Sequence, residues 1–157
     1  MLSSKIIMTP KVKISYILNI IIVLVSFTFG FRYIFASAPL NYQLEAIGVH
    51  GWNDIIPEYR NMITTFVRVA GVGMTTASIG MSIVLFRAFR YGQNWARWGF
   101  AGIFLAHYIP LMCNMFFLKT TTESNPPMIP NLIAISIVLL SLFFSSNLKN
   151  CKAIENK

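Results

Sequence analysis

Acidic residues are scarce in this chain, which has five Asp and Glu against 13 Lys and Arg in 157 residues. Charged residues make up 11% of the sequence, whereas soluble domains have about 25%, and hydrophobic residues make up 55%. This composition argues against a water-soluble domain and favours a membrane protein. The long apolar segments have no Asp or Glu, so carboxylate-based proton transport of the small multidrug-transporter type is not expected.

Metal-binding and catalytic signatures are also lacking. The two cysteines, Cys113 and Cys151, and the two histidines, His50 and His107, do not have the spacing of a zinc, haem or redox site. The sequence has no phosphate loop, nucleophile elbow, metalloprotease helix or pair of carboxylates. We therefore predict no cofactor and no metal, and the sole weak catalytic candidate is His107.

Long apolar runs dominate what is present. Four of them cover residues 14–36, 62–86, 95–118 and 128–146. Each is close to the ~20 residues that cross a bilayer as an α-helix. The sequence predicts an all-α fold over residues 1–157, a single domain that forms a transmembrane antiparallel four-helix bundle. Between the first two spans, residues 39–61 are aromatic-rich and predict an amphipathic outer segment.

The basic residues concentrate on one side of these four predicted spans. Nine lie at the two termini and in the middle connection: Lys5, Lys11, Lys13, Arg87, Arg90, Arg97, Lys149, Lys152 and Lys157. The positive-inside rule places this side in the cytoplasm, with both termini. We interpret the charge as orientation and contact with membrane lipids, not nucleic-acid binding. Short connections and the lack of glycosylation sequons favour a bacterial cytoplasmic (inner) membrane.

Arg68 is the most unusual residue, because it falls within the second apolar run. An ionised side chain in the hydrocarbon is costly, and arginine does not lose its proton. Its depth, about six residues into the span, corresponds to ~9 Å along a helix. It belongs to one polar or small stripe of a helix, with spacings of three and four: Asn61, Thr64, Arg68, Gly71, Thr75, Ser78 and Ser82.

Two interpretations of Arg68 remain open. The side chain either reaches the outer interface and pairs with Asp54 or Glu58, or helps to form a cationic pocket. For the second we expect Arg32 from the first span to contribute, with Thr64, Thr75 and Ser78. Such a pocket would bind an anionic lipid headgroup or another small ligand.

His107 lies in the middle of the third span, seven residues before Asn114. A histidine at this depth bonds to a neighbouring polar side chain or takes part in ligand binding. We therefore include His107 and Asn114 among the candidate ligand-binding residues.

The connection between the second and third spans reads Gly92-Gln93-Asn94-Trp95-Ala96-Arg97-Trp98. With Arg68-Val69-Ala70-Gly71 upstream, it resembles a pattern in uncharacterised small four-helix bacterial membrane proteins, where an early arginine and glycine precede a cytoplasmic Gly-x-x-Trp-Ala-x-Trp hairpin. Arg97 replaces the aromatic residue expected at that point. The resemblance implies the bundle and its topology and no activity.

These features favour a multi-pass membrane protein without recognisable catalytic machinery. It would act as an accessory unit or bind a lipid or small ligand, alone, as a homodimer or with a membrane-protein partner. The alternatives are a small dimeric carrier that uses the polar stripe of the second span, and an enzyme that acts on a lipid or quinone through Arg68 and His107.

Overall fold

The computed structural model describes residues 6–49, 51–146, 148 and 152–153, and most of them are helical. His50, Cys151 and the terminal lysines Lys5, Lys149 and Lys157 lie outside the described residues. The helices are α1 (Pro10–Ile34), α2 (Asn41–Ala46), α3 (Pro57–Arg87), α4 (Trp95–Thr121) and α5 (Met128–Phe144). Single 3-10 turns cover Trp52–Asp54 and Phe89–Tyr91, and two-residue strands, β1 (Ile6–Ile7) and β2 (Lys152–Ala153), pair antiparallel.

Proline and glycine set several of the helix boundaries. Pro10 and Pro57 occupy the first positions of α1 and α3, where the missing N–H removes no helical hydrogen bond. Gly92, at φ 73°, ends the 3-10 turn after α3 in the left-handed region, and α4 begins three residues later. Because α3 begins at Pro57 and not at residue 62, it has 31 residues and a length of ~46 Å.

The four long helices contact one another in a closed cycle. Helix α1 packs against α3 and α5, and α4 packs against the same two. The large side chains that are almost fully buried gather near the α3–α4 connection: Phe89, Phe100, Phe104, Met81, Leu85 and Val138. The end of the fold that holds this connection is therefore solidly packed.

Apolar side chains face outward from this fold and several polar ones face inward. Phe66, Ile129 and Phe143 are between 65% and 71% exposed. Among the residues that the structure describes, three helical stretches are long and apolar enough to cross a membrane, namely Pro10–Ile34, Pro57–Tyr91 and Trp95–Thr121. Helix α5 is apolar but has only 17 residues. This distribution is the reverse of that in a soluble protein, where exposed apolar patches are small.

Buried hydroxyl and amide groups join the helices. The Ser15 hydroxyl of α1 lies 2.8 Å from the Ser141 hydroxyl of α5. The Ser141 hydroxyl donates to Asn19 Oδ1 at 2.7 Å. The Ser26 hydroxyl lies 2.7 Å from that of Tyr108, which connects α1 to α4. Such hydrogen bonds hold helices together where lipid offers no hydrophobic driving force, at about 0.6 kcal/mol each.

Helices α1 and α3 approach each other to backbone contact at Gly30 and Gly71. A methyl group on Gly71 would lie 2.6 Å from the Ile34 nitrogen and 2.8 Å from the Gly30 carbonyl oxygen. One on Gly30 would lie 2.8 Å from the Thr75 nitrogen. Backbone atoms cannot move aside as a flexible side chain can, so only glycine permits this crossing.

We expect Gly71→Ala to lower the free energy of unfolding by about 2 kcal/mol, because the new methyl group forces the two backbones apart. Gly102→Ala on α4 is the matched control, since a Cβ there meets no atom within 4 Å. That control should gain up to ~1 kcal/mol from helix propensity. Unfolding in detergent measures both, and equal stability of the two variants would contradict the close contact.

Candidate functional site

Three cavities lie at the end of the fold where α1 ends and α5 begins, opposite the solidly packed end. The first, here called the Arg68 cavity, has a volume of about 420 Å³. It is polar, and its lining residues come from the α1–α3 connection and the first turns of α3: Ser37, Trp52, Arg60, Asn61, Thr64, Thr65 and Arg68.

Arg68 reaches the carbonyl end of α1. Its Nε donates to the Ala36 oxygen at 3.2 Å, two residues beyond the end of α1 at Ile34. The partial negative charge at a helix C-terminus favours a cation there. Arg68 is exposed and level with the end of α1.

Arg60 is a second cation beside the same cavity, and it was not among the expected site residues. One Nη donates to the Asn53 oxygen at 3.0 Å, and Nε donates to the Ile55 oxygen, so the side chain folds over the 3-10 turn. Arg60, Thr64 and Arg68 are four residues apart, which places them on one face of α3. That spacing is the sequence signal that could have identified Arg60.

Arg32 borders a different cavity. It is exposed near the end of α1 and lines a space of about 870 Å³ together with Tyr33, Tyr42, Glu45 and other residues. The Glu45 carboxylate accepts a hydrogen bond from the Asn125 backbone at 3.4 Å. This cavity contains a carboxylate and the Arg68 cavity does not. The two arginines that were expected to act together thus line different cavities, which have Ser37 in common.

Thr75 and Ser78 lie away from all three cavities. The Ser78 hydroxyl is buried and donates to the Met74 carbonyl at 2.8 Å. The Thr75 hydroxyl is buried beside Gly30 and has no hydrogen-bond partner among the described residues. Thr75 and Ser78 therefore belong to the packed part of the polar stripe on α3, where Thr75 faces Gly30 of α1.

His107 lines a third, largely apolar cavity of about 350 Å³, here called the His107 cavity. Asn114, the other polar candidate of α4, is exposed and borders none of the three cavities. Within residues 6–49, 51–146, 148 and 152–153, no group of three or more His, Cys, Asp and Glu could hold a metal ion. Of the expected site residues, Arg68 and Thr64 line the Arg68 cavity, Arg32 lines the cavity that contains Glu45, and His107 lines the His107 cavity.

Comparisons of the chain with protein families, with curated proteins and with solved structures find no match. The functional argument therefore depends on the geometry of these cavities and on the distribution of apolar and charged residues.

Tyr42 of α2 lines both the cavity that Arg32 borders and the His107 cavity. Burial, and the neighbouring Tyr33 phenol, raise the pKa of Tyr42 well above its ordinary value. Its neutral form is therefore favoured in the folded protein, and its contribution to stability is complete below pH ~10 and is lost as the pH rises above that.

We expect Tyr42→Phe to show a smaller loss of thermal stability between about pH 9.5 and 11.5 than the unsubstituted protein. Tyr59→Phe is the control, because Tyr59 is 56% exposed and should leave the alkaline loss unchanged. Thermal midpoints in detergent across this range measure the effect. An alkaline loss that is equal in all three proteins would show that Tyr42 ionises as readily when folded.

Proposed function

We propose that this protein is a multi-pass integral membrane protein whose four long helices cross the bilayer as an antiparallel four-helix bundle. Three apolar helices and a fourth of ~26 Å, together with the outward-facing apolar side chains, support this placement. The antiparallel arrangement is supported by the contact of Ser15, near the start of α1, with Ser141, near the end of α5, and by the short connection between α3 and α4.

The orientation follows from charge. Arg87, Arg90 and Arg97 lie around the α3–α4 connection, on the same side as Lys11 and Lys13 near the start of α1. The pairing of β1 with β2 brings the two ends of the chain together, as an N-in/C-in arrangement requires. The positive-inside rule then assigns the packed end to the cytoplasm and the cavities to the opposite face. A bacterial inner membrane fits this arrangement.

Cysteine labelling tests the topology. In a variant that carries Cys113→Ala and Cys151→Ser, we expect Glu123→Cys to react with a membrane-impermeant maleimide in intact cells. Asn94→Cys should react only after permeabilisation, because it lies in the cytoplasmic connection. Glu123 and Asn94 are both exposed in the structure. The reverse pattern, or reaction of both from outside, would contradict the proposed topology.

The function that the geometry supports best is non-catalytic binding of an anionic lipid headgroup in the Arg68 cavity, in an accessory membrane protein. The observation that carries it is two guanidinium groups, those of Arg60 and Arg68, beside one polar cavity without a carboxylate. Both Nη groups of Arg68 remain without a hydrogen bond in the part of the chain that the structure describes. Guanidinium groups bind phosphate through paired N–H donors.

The level of the cavity also suits a headgroup. Because Arg68 is level with the end of α1, the first ten residues of α3 project beyond that helix, towards the membrane surface. Trp52 lines the cavity, and tryptophan is enriched at the depth of lipid headgroups. The hydroxyls of Thr64 and Thr65 are further polar groups on its wall.

The two alternatives gain less support. A carrier that uses the polar stripe of α3 needs that stripe to border a continuous path, but Gly71 contacts the α1 backbone and Ser78 is buried. An enzyme that uses Arg68 and His107 together needs them at one site, and they line separate cavities. A homodimer or a membrane-protein partner stays a prediction.

Lipid binding tests the proposed site. In nanodiscs of mixed phosphatidylglycerol and phosphatidylcholine, we expect Arg68→Gln to retain about five- to tenfold less phosphatidylglycerol, because it loses a charge-assisted contact. Native mass spectrometry of the released protein measures the retained lipid.

Arg87→Gln is the matched control, since it removes the same charge from the opposite end of α3, where Arg87 is exposed. Arg32→Gln should also retain the lipid, because Arg32 borders a separate cavity. Equal loss in all three variants would indicate a general effect of net charge and would contradict a site at Arg68.

A further inference from the structure

The His107 cavity lies between all four long helices, with α2 and the residue before it on one side. Its walls are mostly aliphatic and aromatic, and within the described residues no Asp, Glu, Lys or Arg side chain lines it. The apolar wall includes Val25, Phe29, Met74 and Leu111. A charged ligand would lose its hydration there without gaining a counter-ion, so the cavity suits an uncharged molecule.

Among the described residues that line this cavity, His107 has a buried polar side-chain atom without a hydrogen-bond partner. The hydroxyl of Tyr108 is bonded to Ser26, the Asn131 amide donates to a carbonyl and a sulfur atom, and the Gln43 oxygen accepts a backbone N–H. In contrast, the Nε2 of His107 is buried and has no partner among the described residues. A buried polar atom without a partner is unfavourable, and a hydrogen bond to a bound oxygen atom would satisfy it.

Size and access favour an organic occupant over water. The volume of about 350 Å³ is in the usual range for small-molecule sites and equals roughly a dozen water molecules. Walls of this kind do not hold water stably, because water needs two to four polar partners. Four lining residues of α1 and α3 are themselves exposed, so the cavity communicates with the apolar outer surface: Val25, Phe29, Ala70 and Gly73.

We propose that the His107 cavity binds an uncharged lipid of the surrounding bilayer, which has an apolar body and a carbonyl or hydroxyl oxygen. The oxygen bonds to the imidazole of His107, and the apolar body fills the space between the helices. A flip of the ring exchanges Nε2 with Cε1, the ring atom nearest to Gly73 on the cavity wall. This inference rests on the proposed placement in a membrane but is independent of the Arg68 cavity.

Lipid retention in three variants tests the proposal. The protein is gently purified from its own membrane, and its bound molecules are identified by native mass spectrometry and by analysis of an organic extract. We expect an uncharged lipid in the unsubstituted protein and at least a fivefold loss in His107→Phe, which keeps a ring but not the nitrogens. Gly73→Leu should show a similar loss, because its side chain enters the cavity.

Two controls separate this site from the Arg68 cavity and from general damage. Gly102→Leu makes the same change where a Cβ meets no atom within 4 Å, and it should retain the lipid. Arg68→Gln should lose anionic lipid but keep the uncharged one. If His107→Phe and Gly73→Leu retain the uncharged lipid, or if the occupant is a water-soluble metabolite, the inference fails while the Arg68 proposal stands.

A pair of probes tests the hydrogen bond itself. In detergent, 1-dodecanol should raise the thermal midpoint of the lipid-depleted protein by about 2–4 °C more than dodecane does at equal mole fraction. The difference should disappear in His107→Phe and persist in Gly102→Leu. An equal response to the alcohol and the alkane in the unsubstituted protein would contradict a role for His107 in binding oxygen.

Discussion

The backbone contact between Gly30 and Gly71 is the constraint on which the remaining features depend. It fixes the last turns of α1 against the middle of α3, where a methyl carbon on Gly71 would lie only 2.6 Å from the Ile34 nitrogen. Arg68 precedes Gly71 by three residues and thus lies on the same side of α3. The crossing therefore places the guanidinium of Arg68 within hydrogen-bond distance of the Ala36 carbonyl. It also determines that the Arg68 cavity lies beside the end of α1.

Packing divides the molecule into two ends of different character. Near the α3–α4 connection, aromatic side chains such as Phe89, Phe100 and Phe104 are almost fully buried and leave little space. At the other end, small side chains and prolines replace them, and three cavities remain. The packed end near the α3–α4 connection holds the helices together. The opposite end contains the polar Arg68 cavity and the largely apolar His107 cavity.

The sequence predicted much of the helical structure, because apolar runs of sufficient length have few alternatives in a bilayer. Its segments overlap all four long helices, although α3 begins earlier because Pro57 starts it. The placement of Arg68 beside Thr64 followed from helical spacing. Arg32 and Arg68 line different cavities, whereas Tyr42 and His107 line the same one. These placements depend on how the helices cross, and no periodicity within one helix determines that.

The unequal lengths of α3 and α5 have a consequence for the bilayer itself. In the proposed placement, a ~46 Å helix and a ~26 Å helix border the same hydrocarbon layer of ~30 Å. Lipids beside α5 must thin by a few ångströms, whereas those beside α3 need not, and tilting one helix within a packed cycle cannot relieve both. Such hydrophobic mismatch sorts proteins among membranes by thickness, and it draws the protein towards thinner membranes.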